Sequence, residues 1–253
     1  MPKEQLYKKY AKFYDKVYSN KSYDNEVEFI CSVIKNFKIK GENLLDMACG
    51  TGIHTKKFAE KGYNATGADI NPEMIKIAKQ KTNEVQYFEG AMQSFKSSNK
   101  FDIITCLFTA INYNKNIEEL KETISNFYHL LNEDGIVIFD QGIIKGKDKD
   151  KQGAFVDTYS EDNLQVARIS QWSPSRKNPD IYNANFLMFV KENGKVDFEI
   201  DEHELGIFSV EETKELMISQ GFTVKIYDDF TMKKYTKTGK RPIFVGQKTG
   251  KKK

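Results

Sequence analysis

Apolar residues recur at helical spacing twice before residue 40. Leu6, Tyr10, Phe13, Tyr14 and Val17 predict one helix over residues 6–18, and Val27, Phe29, Ile30, Val33 and Ile34 predict a second over 25–37. Gly41 breaks the chain, and the period then changes. Short apolar runs, "NLLDMA", "NATGAD", "VQYFEG", "FDIITCLF" and "GIVIFD", read as strands. Amphipathic segments among them read as helices: residues 54–61, "PEMIKIAKQK" with Pro72 in its first turn, and "NIEELKETISNFYHLL". Strand and helix alternate up to Asp140, a pattern that requires a parallel sheet with helices on both faces.

Beyond Asp140 the alternation stops. A polar connection, "IIKGKDKDKQG", leads to "AFVDTYS", "NLQVARISQWS", "IYNANFLMFVK" and "KVDFEIDEHELG". Turn signals at Pro174, Pro179 and "ENGK" join these runs into antiparallel hairpins. A helix over 210–220 stops at Gly221, and "FTVKIYDDF" and "RPIFVGQK" are the last two strands. The chain divides accordingly into N-terminal helices (1–40), an α/β core (41–142), a β insertion (143–206), a return to the core sheet (207–247) and a basic tail (248–253).

The chemistry concentrates in "LLDMACGTGIHTKKFAEKGYNATGADI", residues 44–70. A strand carrying Asp46, followed by Gly50 and Gly52 at a helix start, outlines a nucleotide-type crevice at the carboxyl ends of strands. Glycine lets backbone approach a ligand where a Cβ would collide. Asp69 ends the next strand, placed to accept both hydroxyls of a ribose. A dinucleotide site wants G-x-G-x-x-G, but here Gly50 and Gly52 are followed by Thr55. Asp46 would also repel a pyrophosphate, whereas it suits a cationic ligand. S-adenosylmethionine carries a sulfonium and an ammonium and no phosphate.

Composition narrows the classes further. Hydrophobic residues are 39% of the 253 and aromatics 13%, enough for the core of one elaborated domain. Charged residues are 30% but leave a net charge of only +3, too mild to demand nucleic acid. Much of that excess lies in "KTGKKK", a solvated tail. Cys31, Cys49 and Cys106 form no C-x-x-C pair, which fits a reduced, cytoplasmic setting. His54, His129 and His203 lack metal-ligand spacing, so no metal is expected. No apolar run approaches the roughly 18 residues that span a bilayer, and "MPKEQLYKKY" has no apolar signal segment, so no membrane is expected.

"LLDMACGTG" resembles motif I of the class I S-adenosylmethionine-dependent methyltransferases, and "GADINPEMIKIAKQK" resembles their second motif. "FDIITCLFTAINY" and "LLNEDGIVIFD" are similar to their fourth and fifth strands. The resemblance covers about residues 14–140. It implies a Rossmann-like, doubly wound, seven-stranded α/β fold, an antiparallel β insertion covering the acceptor site, and S-adenosyl-L-methionine as cofactor. The implied cofactor-binding residues are Tyr14, Asp46, Ala48, Gly50, Gly52, His54, Asp69, Ile70, Met74, Ala91, Met92 and Leu107, with Asp69 on the ribose. The family often has an acid after the third strand to hold adenine, but "FEGAMQSF" has Ala91 there. Backbone near Ala91 and Met92, with packing from Ile70, is then expected to hold the base. Met74 is either part of that slot or helix core, and Glu89 is either a substitute acid or solvated.

The second half resembles one branch, the N-methyltransferases of nucleotide-linked deoxyamino sugars. "SYD", "GIHTKKF", "FTAINYN", "DEHELGIFSVEETKELMISQGF" and "KRPIFVG" carry this likeness, while the branch's Trp-rich stretch after strand five is replaced by "FDQGIIKGK". It implies Tyr113 and His203 as catalytic residues, with Tyr113 beside the acceptor amine. Tyr7 and Arg241 would touch substrate, Arg241 at its anionic or sugar part; apart from the resemblance, Trp172 in the β insertion is read as a pocket wall touching substrate. Each has a bland alternative: Tyr113 as a helix cap, His203 as a bonded strand residue, Arg241 as a surface charge, Trp172 as core.

Methyl transfer is an in-line displacement at an activated carbon, so alignment supplies most of the acceleration. The amine must be neutral, and a pocket of low charge favours that form. No single indispensable base is expected. The expected partner is a small-molecule amine, with a homodimer by analogy to the branch. An RNA or protein methyltransferase draws on the basic tail and Lys-rich stretches, but the Asn-Pro-Pro-aromatic motif is missing. A non-catalytic S-adenosylmethionine-binding module is permitted by Ala91.

Overall fold

Strands apolar on both faces must be covered on both faces. Five strands, β1 (Asn43–Met47), β2 (Asn64–Asp69), β3 (Gln86–Glu89), β4 (Phe101–Cys106) and β5 (Leu131–Asp140), lie parallel in the computed structural model, and the central β1, β4 and β5 are of this kind. The structure describes residues 11–147 and 152–249. Tyr7 and the start of the predicted first helix, part of the connection after β5, and residues 250–253 of the tail lie outside the described residues.

The last two strands, β10 (Phe222–Asp228) and β11 (Pro242–Lys248), extend this sheet. Strand β11 runs antiparallel to β5, and β10 antiparallel to β11, giving the order β10-β11-β5-β4-β1-β2-β3. The winding reverses between β1 and β4, so the tips of these strands open a crevice there.

Consecutive residues on the central strands serve opposite cores. Leu44, Ile103 and Ile136 meet Ile30, Val33 and Phe58 from α2 (Tyr23–Asn36) and α3 (Ile53–Glu60). Leu45, Ile104 and Val137 meet Leu120, Phe127 and Met217 from α5 (Ile117–Leu130) and α6 (Val210–Ser219). Strand β5 begins well before the "GIVIFD" run, because the helix before it ends directly into extended chain at Leu131. Asn71 caps α4 (Pro72–Lys81), Asn116 caps α5, and Ser209 with Glu212 forms a capping box on α6.

Four further strands, β6 (Gly153–Glu161), β7 (Leu164–Pro174), β8 (Ile181–Glu192) and β9 (Lys195–Gly206), form a separate antiparallel meander. Register fixes which side chains share a face. Arg168 lies opposite Asp157 and Met188, Ser170 opposite Phe186, and Ala184 between Trp172 and His203. That face is buried; the other carries the exposed Val156, Phe189, Phe198 and Ile200.

The described part of the predicted first helix is not one helix. A 3-10 turn, Ala11–Phe13, precedes the four-residue α1 (Tyr14–Val17). Tertiary packing holds it: Ala11, Phe13 and Val17 are buried among Met74, Val166, Met188 and Val190. Polar ties run to both sheets. Asp15 accepts from Thr51 Oγ1 at 2.5 Å and pairs with Lys81, while Lys16 reaches Glu161 at 2.6 Å and Tyr159 at 3.1 Å.

The α5–α6 core is keyed by Phe139 and Phe244, stacked across the β5–β11 pair with centroids 5.1 Å apart. Phe244→Ala is expected to lower stability by about 3–5 kcal/mol, read as a lower urea midpoint with an unchanged slope.

Candidate functional site

The loop after β1 is a run of left-handed backbone: Ala48 at φ 59°, Gly50 at 55° and Gly52 at 77°, the last as N-cap of α3. A Cβ on Gly52 would sit 2.6 Å from the Tyr87 hydroxyl, whereas one on Gly50 would meet nothing within 4 Å. Gly52 is thus needed for packing, and the open side of Gly50 leaves room for a ligand. Ala48 holds a conformation unusual for a residue with a side chain, the kind of strain found at binding loops.

Asp46 lies beneath this loop at 2% exposure. Thr55 Oγ1 donates to its Oδ2 at 2.6 Å and Thr105 Oγ1 to its Oδ1 at 2.9 Å. Burial pushes its pKa up, opposed by His54 and the threonine bonds. The sequence reading set Asp46 against a cation. Both oxygens accept from threonines, which fixes the carboxylate beneath the loop, and each keeps a second lone pair.

Asp69 sits at the tip of β2. Gly50 N–H donates to its Oδ2 and Asn71 N–H to its Oδ1, both at 2.8 Å. Burial again raises the pKa, against those backbone donors. Each oxygen keeps a second lone pair, so a fixed carboxylate stands ready for hydroxyl donors. Ile70 follows at 61% exposure as an apolar lip. Ala91 and Met92 are half-buried just past β3, but the Met92 carbonyl already accepts from Asn126 at 3.0 Å. Leu107 is buried beyond β4. Met74 is enclosed with Phe13 and Met188, the core alternative. Glu89 is exposed, beside a surface groove along α4.

His54 is tied to the helix above the crevice. Its Nε2 lies 2.8 Å from Glu26 Oε2, and its ring meets the edge of Tyr23 at 4.9 Å. Lys21 pairs with the same glutamate. Burial acts to raise the Glu26 pKa, but these two partners hold it below its ordinary value. Tyr14 packs on Tyr18 at 4.7 Å, Tyr18 meets the edge of Phe108 at 4.9 Å, and the Arg168 guanidinium lies 4.1 Å over the Tyr18 ring.

On the far side of the crevice, Phe108 and Thr109 are both left-handed at φ 65°. The 3-10 turn Ala110–Tyr113 follows. Tyr113 Oη lies 3.3 Å from His203 Nδ1, and the imidazole packs on Tyr113 and Phe186 at 5.7 and 5.3 Å. Tyr113 does not cap α5, since Asn116 does. His203 Nε2 has no hydrogen-bond partner among the described residues. Trp172 joins the same cluster and meets Phe155 at 4.6 Å. Arg241 has Nη1 3.5 Å from Asp140 Oδ2 at the tip of β5.

The structure adds Glu26, Tyr18, Thr55, Thr105, Asp140 and Arg168, none of which the sequence reading placed in the site. Strand parity in "LQVARIS" points Arg168 inward beside Val166 and Ser170, so that signal was present.

A glycine loop at the switch point, an acid at the next strand tip and an anionic floor define a nucleoside-binding α/β protein built for a cation. S-adenosylmethionine fits this donor set: ribose hydroxyls for Asp69, an apolar lip at Ile70, buried carboxylates in place of phosphate-binding cations. Residues 44–135 match the family model described as "Methyltransferase domain". Over these residues the chain carries a class I S-adenosylmethionine-dependent methyltransferase domain, and it resembles the amino-sugar branch. A Geobacillus sp. (strain WCH70) protein with a provisional methyltransferase name is 27% identical over 96% of this chain and 99% of its own. The dTDP-3-amino-3,6-dideoxy-alpha-D-glucopyranose N,N-dimethyltransferase of Streptomyces fradiae is 23% identical, covering 85% of this chain and 84% of its own. S-adenosylmethionine-bound CalS10, an amino pentose methyltransferase from Micromonospora echinaspora, superposes with a TM-score of 0.78 at 23% identity over 97% and 99% of the two chains. Among the described residues, no helix is long and apolar enough to cross a membrane.

His203 gives this site a pH signature. Burial lowers its pKa to about 4 from 6.5, with Asp201 opposing. The unfolded chain therefore binds the extra proton between those values, and stability rises with pH across that window. The full span is worth about 3 kcal/mol. Urea melts at pH 7 and pH 4.5 are expected to differ by a larger margin in the wild type than in His203→Gln.

Proposed function

We propose that the chain methylates the nitrogen of a small-molecule amine of the amino-sugar type. The neutral Tyr113–His203 pair carries this reading. A nitrogen nucleophile needs its lone pair, and the neutral pair itself gives the ammonium form no counter-charge. The amino-sugar relatives support the same choice. Residues 143–206 serve as a cover over the acceptor, and residues 1–40 as a segment that closes over both ligands. A cytoplasmic homodimer goes with this reading, by analogy with the branch.

When bound, the cofactor supplies a methyl carbon made electrophilic by its sulfonium. Asp69 holds the ribose hydroxyls, and Gly50 and Gly52 give the backbone its close approach. Ala48, Ile70, Ala91, Met92 and Leu107 line the remaining slot, while Tyr14 and His54 border its outer side. Asp46 adds negative potential from below. Neutral His203 accepts the Tyr113 hydroxyl proton at Nδ1, which turns a Tyr113 lone pair toward the amine and orients it. Trp172 walls the acceptor space, and Arg241 faces its anionic or sugar part.

Two measurements test the reading. Asp69→Ala is expected to weaken S-adenosylhomocysteine binding on the order of 10–100-fold by calorimetry, as a charged hydrogen-bond acceptor is lost; unchanged binding removes the ribose assignment. Wild-type protein is expected to methylate amino hexoses, free or linked to a nucleoside diphosphate, more efficiently than their hydroxyl analogues. Equal or exclusive turnover of the hydroxyl compounds refutes the amine assignment.

A further inference from the structure

Asp140 ends β5 at 0% exposure. Its Oδ2 accepts from Thr109 N–H at 3.0 Å and Thr109 Oγ1 at 3.3 Å, with Arg241 nearby. Its Oδ1 has no hydrogen-bond partner among the described residues. A buried carboxylate oxygen left bare is costly, and native proteins keep one where another group comes to it. Nothing assigned so far uses this oxygen. Its surroundings belong to the acceptor side. Thr109 opens the turn that ends in Tyr113, and Thr109 is held left-handed while it donates to Asp140. Asn112, on that turn, has a buried amide oxygen in the same condition.

An amine of ordinary basicity arrives as an ammonium, which has no lone pair. Orientation by Tyr113 does not remove the extra proton. We infer that Asp140 is the base that takes this proton from the acceptor. One N–H bond of the ammonium breaks, and its proton passes to Oδ1. The freed lone pair forms the N–C bond as the methyl group's S–C bond breaks, leaving a thioether and a methylated ammonium. The proton then leaves Asp140 for water past the half-exposed Arg241. One proton is released per methyl, and charge balances: two cations enter, and a methylated ammonium and a proton leave.

The charges around Asp140 tune it in both senses. Burial raises its pKa most; Arg241, ahead of β11, lowers it, as does Lys21, while Glu26 of α2 raises it. Cys106 on β4 is itself pushed up by burial and then by the acids around it. A carboxyl above its ordinary range is a better match to an amine than an exposed one.

This inference rests on the amine reading, and one experiment separates the two. Methyl transfer to 3-amino and 4-amino hexoses, free and nucleoside-diphosphate-linked, is followed from pH 5.5 to 9.5 in wild type and Asp140→Asn. Asparagine keeps an acceptor for Thr109. The variant is expected to bind S-adenosylhomocysteine within about twofold of wild type. Its kcat should fall on the order of 100-fold, with KM little changed and the acid limb of the profile lost. A wild type that turns over no amine defeats the amine reading and this inference with it. A wild type that does, beside a variant with the same acid limb, overturns the inference alone. Should Asp140→Asn lose its cooperative melt, Thr109→Val replaces it. Removing one donor to Oδ2 must then move the acid limb to higher pH, and an unmoved limb overturns the inference.

Discussion

A carboxylate shared between two threonine hydroxyls keeps the crevice in shape. Burying Asp46 would cost several kcal/mol if its oxygens were bare. Thr55 reaches it from α3 and Thr105 from β4, so one charge joins three elements that meet at the switch point. The glycine loop between them is also held by Thr51 on Asp15 and by Cys49 in a small core cluster. Without these anchors its left-handed residues would have many alternatives. Everything on the cofactor side follows, because Asp69 is fixed through the Gly50 amide, which the anchored loop presents.

The same economy recurs at the other strand tips. Asp46, Asp69 and Asp140 end or nearly end β1, β2 and β5, and burial raises all three pKa values. They differ in what their oxygens do. Those of Asp46 meet hydroxyls, those of Asp69 meet backbone amides, and Asp140 has one oxygen engaged and one bare. A row of acids at one sheet edge repels anions as a group, while the bonding of each member decides whether it braces, binds or reacts. The insertion sheet brings the opposite character, with a neutral histidine and an arginine matched to Asp157 at 2.5 Å.

Most of the fold was legible because its strands and helices follow local rules. Alternation up to Asp140 demanded a parallel sheet, and Pro72 and Gly221 punctuated the helices. The described N-terminal segment escaped these rules, since Ala11, Phe13 and Val17 answer to Met74 and Met188, far away in sequence. In the site, the glycine loop and Asp69 were visible as a spaced set. The engagement of Asp46 was not, for Thr105 lies 59 residues away and only register brings it near. Asp140 stood in plain view as the end of "GIVIFD" but looked like a strand boundary. Its importance comes from one empty valence, and hydrogen-bond saturation is a property of three-dimensional surroundings.

The short helix α1 grips two things at once. Asp15 holds Thr51 and Lys81 beside the glycine loop, and Lys16 holds Tyr159 and Glu161 on the insertion sheet. A strut fastened at both ends cannot swing away from one without disturbing the other. Four residues of helix thus set the spacing between the glycine loop and the insertion sheet.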